Sequence, residues 1–206
     1  MKKVNLFLCV ALFMGFTSCH PLDDLSVQEM DLVLTNYDKA ANFSSVKTYA
    51  VSDSIIELFS KDKTTTDSLP DFISPSVSVP IVAAIDANMA ALGYKKVKES
   101  DNPDATILLS IMQTTDIYYY YDYAYWGWYY PYYWYYPFPI SYATVVNSGT
   151  LMIQMMSNKD ISIDNRAPVI WLGVANGILE GSTSSINSRI NSSINQAFNQ
   201  SPYLKH

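Results

Sequence analysis

The chain has 206 residues, 49% hydrophobic and 16% charged, with 13 Lys and Arg against 19 Asp and Glu and a formal net charge of −6. An acidic surface without a basic stripe repels a phosphate backbone, so nucleic acid is not an expected partner. The two histidines, His20 and His206, lie near the two ends, which leaves no histidine inside the domain for a triad or a His-rich metal centre.

Lys2 and Lys3 form a basic head, Val4 to Phe16 run almost without a polar side chain, and the small residues Thr17 and Ser18 lead into Cys19. This is the layout of a cleaved secretory signal. The apolar run falls well short of the roughly 20 residues that cross a hydrocarbon core. FTSC resembles a lipobox with Phe16 where Leu is usual, so residues 1–18 are expected to be removed and Cys19 to become a lipidated first residue. A plain secretory signal and an uncleaved anchor are the alternatives. Two or three acyl chains anchor a protein stably, since each buried methylene adds about 0.8 kcal/mol. Cys9 leaves with the signal and Cys19 is consumed by acylation, which excludes disulfides, thiolate metal sites and cysteine nucleophiles.

Residues 19–30 read as an acidic tether containing Asp23, Asp24 and Glu29. Acidic residues at that place resemble export signals of surface-exposed lipoproteins in some Gram-negative bacteria; a solvated linker is the other reading. The expected location is the cell envelope, lipid-anchored at the outer membrane on its periplasmic or surface face.

Residues 31–204 read as a single α+β domain. Segments 32–37 and 46–51 have strand character, with turn chemistry in NYDKAANFSS between them. Polar clusters with Pro70 and Pro75 predict a loop over 60–78. A helix follows, with Ser78 as its cap, Pro80 in its first turn and Ile81, Ile85, Met89 and Leu92 on one stripe. Gly93 supplies its left-handed closing residue. In ATILLSIM, Ile107, Leu109 and Ile111 share one face while Leu108 and Met112 share the other, which predicts a central strand. Segments 150–156 and 168–179 predict an antiparallel hairpin. Ile186, Ile190, Ile194 and Phe198 repeat every four residues before Pro202 and predict a second helix, whose Ser and Asn content makes it depend on packing. The sum is an antiparallel sheet of about four to five strands with two helices on one face.

Between two core strands lies IYYYYDYAYWGWYYPYYWYYPFPISY, residues 117–142, with most of the 17 tyrosines and all but one of the four tryptophans. Hairpin connections take two to five residues, so this insertion exceeds what closing a sheet requires. Pro131, Pro137 and Pro139 forbid one uninterrupted central strand. Three readings stand: a low-complexity excursion without a ligand, an adhesive surface for another envelope protein or the membrane interface, and a glycan-binding surface that stacks rings on sugars. The candidate contact residues are Tyr118, Tyr121, Tyr125, Trp126 and Trp128, followed by Tyr130, Tyr133, Trp134 and Tyr136.

No G-x-S-x-G, HExxH, Walker loop or dinucleotide fingerprint occurs. Asp101 with Asp104 and Asp160 with Asp164 are the closest carboxylate pairs, in polar turns where Asp serves the backbone. A calcium site at Asp160, Asp164 and Asn165 lacks the EF-hand pattern. Asp53-Ser54-Ile55 and Asp67-Ser68-Leu69 resemble a short O-glycosylation acceptor. No catalytic residue, metal or cofactor is expected. The segments TNYDKAANFSSVKTYAV, AALGYKKV, DNPDATILLSI, SGTLMIQMM and PVIWLGVANGIL, with the closing helix, resemble in order and spacing the bacterial lipoproteins that carry the domain of unknown function 4136. That resemblance implies a compact α+β unit in the envelope and supplies no catalytic residues. Leu172, after Trp171, stands where the family commonly has a basic residue. The functional expectation is a non-catalytic envelope lipoprotein with a protein-contact, assembly or adhesion role, the alternative being a carbohydrate-binding surface lipoprotein.

Overall fold

A strand that is apolar on both sides of its pleat requires partners on both edges and cover on both faces. ATILLSIM takes that place. The computed structural model describes residues 32–52, 54–58, 71–112, 149–160, 167–179 and 183–205. In chain order the elements are β1 (Val33–Tyr37), β2 (Thr48–Val51), β3 (Ile56–Leu58), β4 (Asp71–Phe72), α1 (Pro75–Ala91), β5 (Lys95–Lys96), β6 (Ala105–Met112), β7 (Thr150–Ser157), β8 (Val169–Ala175) and α2 (Thr183–Asn199). Among the described residues these strands form one sheet of eight, ordered β1-β8-β7-β6-β2-β5, with β3 also on β6 and β4 on β3.

The expected hairpin is present as β7 against β8, with a register shift at Met155/Met156. β6 pairs with β7 from Ala105↔Ser157 to Met112↔Thr150, and β1 closes on β8. The sheet is nevertheless mixed, and larger than four to five strands. β2 and β3 run parallel to β6, and β5 runs parallel to β2. Parallel neighbours need a crossover connection, and the segment containing α1 supplies it between β2 and β6.

Both helices pack on one face. Ile81, Ile85 and Met89 of α1 meet Ile190, Ile194, Ala197 and Phe198 of α2 over Ile107, Leu109, Ile111, Leu151, Ile153 and Met155. The two helices also share a hydrogen bond, Asn88 Nδ2 to Asn195 Oδ1 at 2.7 Å. The α1 stripe is as expected, but its start is not. The helix begins at Pro75 rather than after Ser78, and Ser78 is buried inside it. Pro75 occupies the first helical position, where its missing N–H is no loss, while the Ser74 carbonyl accepts from Val77 and Ser78 N–H. Pro80 therefore lies within the helix, and the donor it lacks leaves only the carbonyl of exposed Ser76 without its helical partner. At the other end Gly93, φ 95°, donates to Ala90 O, and Tyr94 N–H reaches back to Met89 O. This is the Schellman closure that only a left-handed residue permits without strain.

The chain end is fastened through Trp171. Its fully buried ring lies beside Phe198, and Nε1 donates to Ser201 Oγ at 2.8 Å. Ser201 Oγ donates to Ala197 O and accepts from Tyr203 OH, so its single donor and both acceptor sites are used. Tyr203 in turn stacks on Tyr37 with ring centroids 3.8 Å apart. Gly173 makes room for the indole, because a Cβ there would lie 3.0 Å from its ring.

Candidate functional site

The tract residues proposed as a contact surface lie outside the described residues, as do Cys19, the signal, the tether, and the Asp53 and Asp67 positions of the two acceptor triplets. The frame that carries the tract is described. β6 ends at Met112 opposite Thr150, and Gly149 N–H donates to Met112 O at 2.8 Å. The excursion over 113–148 thus leaves and re-enters the sheet at one point. Gly149 holds φ 80°, and a Cβ there would come 2.7 Å from Leu179 Cβ. Behind this stalk Thr150 Oγ1 donates to Asn176 Oδ1 at 2.7 Å in a buried bond. Met112, Met152 and Leu172 cluster on the sheet face away from the helices, with Val174 against them. Leu172 thus fills an apolar position where the resemblance led one to look for a base.

The register places a second feature at this end. Val33, Ala175, Leu151, Ile111 and Glu57 form one row across β1, β8, β7, β6 and β3. Val33 begins β1, and Leu32 before it is 49% exposed. The described chain therefore enters β1 at the same sheet end at which β6 ends and β7 begins. At about 4.8 Å per strand, the two points are roughly 14 Å apart across three strand spacings.

At the opposite end lies a carboxylate that sequence spacing could not assign. Asp104 Oδ2 accepts from Lys47 N–H at 2.8 Å and Thr48 N–H at 2.9 Å, and Oδ1 meets Lys159 Nζ at 2.9 Å. Lys159 also donates to Ser45 O, and Asp104 N–H donates to Thr48 Oγ1. Partial burial alone would raise the Asp104 pKa, but the Lys159 ammonium and the two amides outweigh it and hold it at about 2. A carboxylate so firmly ionised has no proton to exchange near neutrality.

The other candidate carboxylates are likewise engaged in local bonds. Asp101 Oδ2 accepts from Lys98 N–H at 3.2 Å and Asp160 Oδ2 from Ser157 Oγ at 2.7 Å, while Asp164 and Asn165 lie outside the described residues. Among the described residues no group of three His, Cys, Asp or Glu could hold a metal ion, and no helix is long and apolar enough to cross a membrane. One further network escaped the sequence. Tyr49 OH donates to Asp86 Oδ1 at 2.8 Å, and Lys96 pairs with Asp86 Oδ2 at 2.8 Å. Burial first, then the bond to Asp86 and its charge, push the Tyr49 phenol up. The contact runs from a strand to a helix 37 residues away, and no local pattern marks it.

Sheet, helices and stalk define an α+β domain that presents an insertion between its two central strands. The chain belongs to the family described as Domain of unknown function (DUF4136), whose model matches residues 33–203. It is similar to a DUF4136 family protein from Bacteroides thetaiotaomicron VPI-5482, solved by crystallography, with 28% identity, 85% of this chain and 97% of that chain covered, and a TM-score of 0.64. A PDZ domain protein from Parabacteroides distasonis ATCC 8503 is 17% identical over 85% of this chain and 37% of its own, with a TM-score of 0.45. PelC from Paraburkholderia phytofirmans, a dodecamer, is 11% identical over 80% of this chain and 95% of its own, with a TM-score of 0.38. No curated protein matches the chain.

Proposed function

We propose that this protein is a non-catalytic lipoprotein of the cell envelope, anchored through Cys19 at the outer membrane, whose insertion 117–142 makes contact with another envelope protein. The observation that carries this reading is the stalk. A tract this rich in Tyr and Trp is joined to two central strands whose ends are tied by the Gly149 N–H to Met112 O bond, so both of its ends are fixed at one point of the sheet. Tyr and Trp give large, rigid, amphipathic contact area, the composition that protein interfaces favour. The engagement of Asp101, Asp104 and Asp160 in local hydrogen bonds supports a structural role for these carboxylates over a catalytic one.

Two measurements test it. Fatty-acid labelling in cells should vanish in Cys19→Ala, and persistent label would overturn the anchor. Deleting residues 118–139 should remove specific proteins from the set cross-linked in intact envelopes. An unchanged set would sink the contact role.

A further inference from the structure

We infer that the outer face of the α1–α2 layer is a contact between two copies of this chain, related by a two-fold axis. The contact is independent of the one proposed for the insertion. Each helix has 17 residues and a single charged side chain, Asp86 in α1 and Arg189 in α2. Asp86 is held by Tyr49 and Lys96, and Arg189 is only 2% exposed. The solvent side of α1 is Ser76, Val79, Ala83, Ala87 and Ala90, spaced by three or four residues, with Val79 63% exposed. On α2 it is Ser188, Asn191, Ser192, Asn195 and Gln196. Helices that face water ordinarily carry charged residues on that side. Here two adjacent helices carry none.

Size and charge both fit a second copy. A 17-residue helix is about 25 Å long and two packed helices span about 20 Å, so the layer measures roughly 500 Å² in projection. Two such layers face to face bury more than about 1,000 Å², the size that a specific interface clears. The chain carries a net charge of −6, so two copies repel wherever their acidic faces oppose. The helical layer sets no like charges against each other, and a partner of opposite charge finds nothing there to pair with. Amides and hydroxyls both donate and accept, so such a face complements its own copy, as an isologous contact requires. The seam between the helices illustrates this. Asn88 Nδ2 donates to Ala84 O and Asn195 Oδ1, which leaves Asn88 Oδ1 to accept and Asn195 Nδ2 to donate. A two-fold axis beside the seam brings the donor of one copy to the acceptor of the other.

Cysteine cross-linking of the full-length protein in intact cells supplies the test. Ala87→Cys treated with a short bis-maleimide should give a product of twice the chain's mass. That product should be missing from the parent chain and from Lys39→Cys, whose exposed site after β1 lies off the helical layer. Adding Ala83→Glu should lower the yield at least about tenfold, because like charges then oppose across the axis. Position 83 is exposed and Glu is a good helix former, so the melting temperature should stay unchanged. Co-expression with a chain carrying Ala83→Lys and Ala87→Cys should restore the product as a mixed pair, which also requires both chains to be folded. A product of any other mass puts a different protein on this face and overturns the second copy. No product, or a yield indifferent to Ala83→Glu, overturns the interface.

Discussion

Replacing Asp104 by Asn tests the physical account of the frame most directly. The substitution keeps the shape and removes the charge that binds two backbone amides and the Lys159 ammonium. A carboxylate whose pKa falls from 3.8 to about 2 on folding contributes at most about 2 kcal/mol at neutral pH. The side chain is 19% exposed, so solvent screening trims that figure somewhat. For a chain of this size, 2 kcal/mol corresponds to about 4–8 °C in melting temperature. The sign follows from the depressed pKa: the contribution is complete above about pH 4 and disappears as pH falls through about 2. Circular dichroism melts of both proteins at steps from pH 7 to pH 2 give the difference directly. Other carboxylates titrate in both proteins and cancel. Asp104→Asn should melt lower at pH 7, and the gap should close near pH 2. A gap that persists undiminished at pH 2, or is absent at pH 7, refutes the role assigned to this carboxylate.

Gly173→Ala forces a methyl against the Trp171 ring and should cost about 1–3 kcal/mol in urea unfolding. The loss should be partly recovered in combination with Trp171→Phe, and strict additivity would contradict the contact. Gly149→Ala meets both a positive φ and Leu179 Cβ, and should destabilise by at least about 2 kcal/mol. Amide exchange should show that loss as opening at the Met112–Gly149 pair. Tyr94 OH donates to Leu204 O in a buried bond at 2.8 Å, and burial pushes its phenol up to about 12. Tyr94→Phe should cost roughly 1 kcal/mol by chemical denaturation. It should also raise proteolysis after Lys205, and unchanged cleavage would detach the chain end from this bond.

What the sequence disclosed followed the length of each signal. Ile81, Ile85 and Met89, and the four-residue repeat from Ile186 to Phe198, mark their helices because each stripe persists over several turns. Ala105–Met112 marks a central strand because eight residues alternate between two apolar faces. β3, β4 and β5 have two or three residues each, too few for a period-two pattern to separate them from turns. Strand direction leaves no imprint on alternation, so the parallel pairing of β2 and β3 with β6 was invisible. Ser78 and Pro80 imitate the start of a helix that begins one turn earlier, at Ser74 and Pro75. The tract was evident from composition alone. Its stalk was not, since nothing in the local sequence says that Gly149 returns to Met112.

That return has a further consequence. Because the excursion begins and ends at one hydrogen-bonded pair, the loop-closure part of its cost grows only with the logarithm of its length, and doubling it adds about 0.6 kcal/mol. The β6–β7 register is set by residue pairs outside the tract, from Ala105↔Ser157 to Met112↔Thr150. Lengthening or shortening the segment therefore adds little to the closure cost of the β6–β7 connection.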